Sequence, residues 1–134
     1  MPVGLGGGQK GDTVKPQALV LFGPTGPAFV ESPIVRGISS YRTIVFYVDV
    51  TTAGQVQLRV NWYRDEGIAG DPYQAVRRDA AQNLVADEPT LPNVAGLARF
   101  AIPVANPGGA TGVSIGVKAA VGTPNVAVWY SAES

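Results

Sequence analysis

Between Thr43 and Tyr63 the chain alternates apolar and polar positions twice, with one short break. Ile44, Phe46, Val48 and Val50 share one phase of the first run, and Val56, Leu58, Val60 and Trp62 share one phase of the second. Gln55, Gln57, Arg59, Asn61 and Tyr63 take the opposite phase. A period of two points successive side chains to opposite faces, so each run predicts a half-buried strand. Thr51-Thr52-Ala53-Gly54 between them has the length and chemistry of a hairpin loop. The pattern therefore predicts a central antiparallel hairpin with one buried face.

The same alternation returns three times downstream. Ala98, Phe100, Ile102 and Val104 mark one face of a strand over residues 97–104. Val113, Ile115, Val117 and Ala119 do so over 112–120, and Val126, Val128 and Tyr130 over 125–130. Asn106-Pro107-Gly108-Gly109 and Gly122-Thr123-Pro124-Asn125 supply the turns. Upstream, Ala18-Leu19-Val20-Leu21-Phe22 is a short apolar strand that Gly23-Pro24-Thr25-Gly26-Pro27 ends. Phe29-Val30 and Pro33-Ile34-Val35 are edge-strand candidates.

One segment reads differently. Asp71-Pro72-Tyr73-Gln74 has an acid at the N-cap, proline at the first helical position and glutamine three residues after the cap. Val76, Ala80 and Leu84 follow at four-residue spacing, which predicts a short helix over 72–84. An irregular crossover with a short strand near 73–77 is the competing reading. The expected fold is thus all-β, an antiparallel β-sandwich or jelly-roll-like domain over residues 18–134 with one short helix. Residues 1–17 form a Gly-rich extended arm without periodicity, which needs its own sheet or a neighbouring chain to order it.

Composition agrees with one such domain. Of 134 residues, 46% are hydrophobic and 15% charged, enough for a core and too apolar for wholesale disorder. Seventeen Gly and 11 Pro suit many short strands and argue against a helical bundle. Lys+Arg and Asp+Glu are both 10, which removes any electrostatic case for nucleic acid or an anionic membrane as partner. The charge is uneven: residues 1–64 are basic, 65–98 acidic, an arrangement that either helps copies dock or is surface scatter. There is no cysteine, so no disulfide framework. The start, Met1-Pro2-Val3-Gly4-Leu5, lacks the pattern of a signal peptide, and no apolar run approaches the ~18–20 residues that span a bilayer. The expectation is a protein made in the cytoplasm.

Chemical motifs are few. Gly112-Val113-Ser114-Ile115-Gly116 matches the G-x-S-x-G nucleophile elbow. An elbow needs a strand-to-helix turn and a histidine to take the serine proton, and the chain has no histidine. The alternation puts this pentapeptide inside a strand instead. Gly6-Gly7-Gly8-Gln9-Lys10-Gly11 matches G-x-G-x-x-G, but no strand precedes it and no helix follows. Asp65, Glu66 and Asp71 could gather round a cation, although their spacing fits no EF-hand and a solvated loop is the simpler reading. No catalytic residue, cofactor or metal is expected. Trp62 falls in the apolar phase and reads as core, whereas Trp129 is out of phase with Val126 and Val128 and is exposed or in an interface.

The segment Ser39-Ser40-Tyr41-Arg42-Thr43-Ile44-Val45-Phe46-Tyr47-Val48-Asp49-Val50-Thr51 resembles one found in small β-sandwich structural proteins of tailed bacteriophages. There a serine–tyrosine entry leads into a long strand ending in aspartate and a small turn. The later order is similar, with Phe100–Val104, a Gly/Pro turn, Val113–Val117 and a terminal strand before a short polar tail, so that the resemblance covers residues 39–130. The resemblance implies a non-enzymatic virion protein, above all a capsid decoration (cement) protein located on the particle. Its implied partners are the major capsid protein or other virion proteins and copies of itself as a trimer. Val3, Leu5, Val14 and Trp129 are the expected interaction residues. A carbohydrate- or cell-surface-binding sandwich module and a tail or neck accessory protein are the alternatives.

Overall fold

The structure is a computed structural model that describes residues 13–64 and 72–134. The described chain is all β and its sheets are antiparallel. The strands are β1 (Thr13–Pro24), β2 (Val30–Glu31), β3 (Val35–Arg36), β4 (Thr43–Val50), β5 (Gln55–Tyr63), β6 (Tyr73–Gln74), β7 (Val76–Arg78), β8 (Leu84–Ala86), β9 (Ala98–Ala105), β10 (Gly112–Val121) and β11 (Asn125–Glu133). A front sheet has the order β1-β11-β4-β9, and a back sheet the order β2-β10-β5-β6 with β3 also on β10. Strands β7 and β8 form a separate two-stranded ribbon.

Alternation decides what lies between the sheets. Ile44, Phe46, Val48 and Val50 of β4 and Val126, Val128, Tyr130 and Ala132 of β11 supply the front half of the core. Val56, Leu58, Val60 and Trp62 of β5 and Val113, Ile115 and Val117 of β10 supply the back half. Phe46 is fully buried, and Trp62 is buried too, as its phase predicts. Phe100, Ile102 and Val104 of β9 are only half-buried. They lie on the front sheet's edge strand, while the corresponding edge of the back sheet is the two-residue β6. Phe100 keeps the inward phase that the alternation predicts but is less buried than Phe46.

The central hairpin is a correction. Strands β4 and β5 do not pair with each other: β4 lies between β11 and β9, and β5 between β10 and β6. Their loop carries the chain from one sheet to the other, so the two apolar faces meet across the core instead of lying side by side. Loop hydrogen bonds show why. Thr51 N donates to Asn125 O at 2.9 Å, and Asn125 N donates to Thr52 Oγ1 at 2.8 Å. The loop binds the turn between β10 and β11, which also crosses between sheets. Gly54 has a φ of 148°, and an added Cβ would stand 2.7 Å from Pro124 Cδ.

No helix occurs among the described residues. The segment expected as a helix over 72–84 contains β6, β7 and the start of β8, closer to the competing reading. The stripe such a helix would bury is exposed: Val76 and Leu84 are 58% and 62% exposed, and Ala80 between them is exposed too. Asp79 settles the local backbone. Its Oδ1 accepts from Ala81 N and Asn83 N, both at 2.9 Å, and Gln82 takes a φ of 66°. A side chain that caps a turn in this way competes with helix formation. At the other end, β1 starts at Thr13, so the last five residues of the segment read as an arm belong to the molecule's own front sheet.

Candidate functional site

The two outer faces of the sandwich differ in chemistry. On the back sheet, Glu31 of β2 reaches over Gly116 of β10, where a Cβ would collide with its carboxylate. Arg59 Nε donates to Glu31 Oε2 at 2.7 Å. Asn61 Nδ2 and Ser114 Oγ donate to Oε1 at 2.8 and 3.0 Å. With the Ser114 proton committed to Glu31, the Tyr63 hydroxyl donates to Ser114 Oγ at 3.2 Å. Two cations approach the Phe29 ring, with Arg59 Cζ 4.4 Å and Lys118 Nζ 4.8 Å from its centroid. Among the described buried side-chain polar atoms, Arg36 Nη1 alone lacks a hydrogen-bond partner.

This network accounts for the G-x-S-x-G sequence. Gly112 and Gly116 are the open positions over which Ile34 and Glu31 lie, and Ser114 sits between them inside strand β10 with no exposed surface. The serine is a structural donor to a carboxylate, and its place in a continuous strand is not that of an elbow.

The front sheet's outer face is bare by comparison. Trp129 stands beside Ala18 of β1 and Tyr47 of β4, with Ala101 of β9 next in the row. Leu21, Ala127, Asp49 and Arg99 form the adjacent row. The Tyr47 hydroxyl and Ser131 Oγ hydrogen-bond each other at 3.1 Å. Trp129 is 42% exposed and Leu21 81%. Trp129 is thus placed outward, as its phase predicts. Val14, by contrast, packs against the molecule's own core. Val3, Leu5 and the G-x-G-x-x-G sequence lie outside the described residues, as does the possible cation group of Asp65, Glu66 and Asp71.

An open cleft of about 850 Å³ lies beside β9, lined by Trp62, Tyr73, Val76, Pro103 and Val104 among others. Arg64 and Tyr73 at its rim flank the undescribed residues 65–71, and the Arg64 guanidinium sits 5.8 Å from the Tyr73 ring centroid. Sequence reasoning missed both the Glu31 network and this cleft. Glu31 carries no periodic signal, and the cleft joins residues of β5, β6, β7 and β9 that no local pattern relates. No helix of the described residues is long and apolar enough to cross a membrane. Against protein-family models, curated proteins and solved structures alike, the chain finds no match.

Proposed function

We propose that the sandwich is a jelly roll and that the chain is a non-enzymatic structural protein of a bacteriophage particle, a decoration protein that binds the head shell through oligomeric contacts. Support for the jelly roll comes from strand order. Taking β2 and β3 as one edge on β10, the chain changes sheet at each step between sheet strands except from β5 to β6, and the first strand β1 lies beside the last, β11. Interlocked Greek keys produce this order, and such double-sheet folds serve in viral capsid and lectin domains alike.

Fold alone does not choose between those roles. One observation favours assembly: exposed Trp129 stands between Ala18 of β1 and Tyr47 of β4, with Ala127 two residues before it on its own strand. A sugar-stacking aromatic needs polar neighbours for the hydroxyls, and Tyr47 and Ser131 are already bonded to each other. An aromatic among small apolar residues suits a protein contact. Immunogold labelling of particles purified from lysates tests the reading. Regular label over the shell is the expected result. Label restricted to the particle-free fraction contradicts it, and label at the tail alone moves the protein to a tail or neck role.

A further inference from the structure

The outer face of the front sheet combines two properties that together name an occupant. Across its four strands, one row reads Ala18, Trp129, Tyr47, Ala101, the next Leu21, Ala127, Asp49, Arg99, and on the other side Ser131, Val45 and Pro103 follow. First, the charged side chains in these rows are Asp49 and Arg99, with Arg99 Nε 3.7 Å from Asp49 Oδ1. Second, the face has knobs, Trp129 and Leu21, next to hollows left by alanines.

We infer that two copies of the chain pack against each other through this face, sheet on sheet about a two-fold axis. The inference rests on the assembly reading above and supplies a partner for it. A two-fold axis places a patch against itself, so the patch must be self-complementary. Asp49 beside Arg99 meets that condition within the patch, with exposed Glu133 at its end in the row Thr13, Glu133, Thr43, Ala105, whereas a patch of one sign throughout would repel its copy. The whole chain is also neutral, with 10 basic and 10 acidic residues, so nothing holds copies apart at long range. The geometry allows each Trp129 to enter the partner's alanine hollow, as side chains of aligned sheets interdigitate at ~10 Å separation. Large aromatics at the centre of a patch dominate such contacts.

The area sets the strength. Four strands about 4.8 Å apart and eight residues rising about 3.4 Å each give a face of roughly 500 Å². Two copies then cover about 1,000 Å² in total, at the lower limit for a specific interface. The pairing is therefore concentration-dependent, and the shell would favour it by bringing copies together.

Sedimentation equilibrium of the full chain, with tryptophan emission followed in parallel, tests this. The mass is expected to rise from 13.9 kDa towards twice that value with concentration, with a blue shift as Trp129 leaves water. Ala101→Glu, which puts an acid in the face, and Trp129→Ala should each weaken association by roughly tenfold or more. Ala120→Glu makes the same change at the exposed end of β10 in the back sheet and should leave it unchanged. Circular dichroism verifies that each variant keeps its strands. A mass of 13.9 kDa at every concentration overturns the inference. So does association indifferent to both face variants, association lost equally in Ala120→Glu, or a three-fold assembly. A monomer whose Trp129 emission responds to soluble oligosaccharide also overturns it, in favour of a glycan. Particle labelling by a strictly monomeric chain would defeat the pairing and leave the particle reading standing. A dimer that never labels particles would do the reverse.

Discussion

Glu31 gathers three donors, from Arg59, Asn61 and Ser114, at a place where only glycine leaves room for it. Gly116→Ala should displace the carboxylate and lower stability by about 1–3 kcal/mol, the cost of partly buried polar groups losing their partners. Thermal unfolding of the variant measures this, and an unchanged midpoint would show the network to be ornamental. Ser114→Ala removes one donor and should cost about 1 kcal/mol while altering no activity. An esterase turnover abolished by that change would sink the non-enzyme reading. Phe46→Ala should cost about 3–5 kcal/mol, and Phe100→Ala clearly less, because Phe46 is fully buried and Phe100 is not. Tyr130 gives the pH dependence. Its hydroxyl donates to Gln17 Oε1 at 3.1 Å, and burial pushes its pKa above the ordinary 10.0. The folded state then holds the proton more tightly than the unfolded chain. Its contribution to stability is complete below pH 10 and is lost as pH rises through the raised folded value. Tyr130→Phe should therefore flatten the alkaline fall in melting midpoint. An identical slope in wild type and variant would assign that fall to other groups.

The strands β4, β5, β9, β10 and β11 could be read from the sequence because each has one apolar face and a two-residue period records it directly. What the period cannot record is the sheet a strand joins. Val48 and Val60 alternate in the same way whether their strands lie side by side or face each other across the core. That choice rests on hydrogen bonds from Thr51 N to Asn125 O and from Asn125 N to Thr52 Oγ1, joining residues far apart in the chain. Gly54 is the testable residue of this crossing. Gly54→Ala brings both the unfavourable φ and a Cβ 2.7 Å from Pro124 Cδ, so it should cost about 2 kcal/mol or more. A midpoint within error of wild type would argue that β4 and β5 connect differently. The helix expectation failed for a related reason. Four-residue spacing at Val76, Ala80 and Leu84 matters only when that stripe is buried, and here a turn capped by Asp79 takes precedence. The Trp129 surface was readable as a break in phase, whereas its neighbours Ala18 and Tyr47 follow only from the registers of β1 and β4 on β11.

A rigid two-layer body with one polar, internally bonded face and one bare face is suited to holding position on a larger assembly. The strand pairing begins at Thr13, so a chain starting there keeps every described strand and should retain its melting midpoint. The arm reading predicts that the same truncation weakens particle binding strongly, since Val3 and Leu5 are removed. Ordering a backbone residue costs about 1–2 kcal/mol, so a segment that repays this must make contacts worth losing. Full binding by the truncated chain would make the segment a passenger. The claim that this is a particle component is best decided by an electron cryomicroscopy reconstruction of the purified particle. The account predicts density for a two-sheet sandwich at symmetric positions on the shell, with the front sheet's Trp129 face covered. Particles that lack this density, while the protein accumulates free in the lysate, would contradict it.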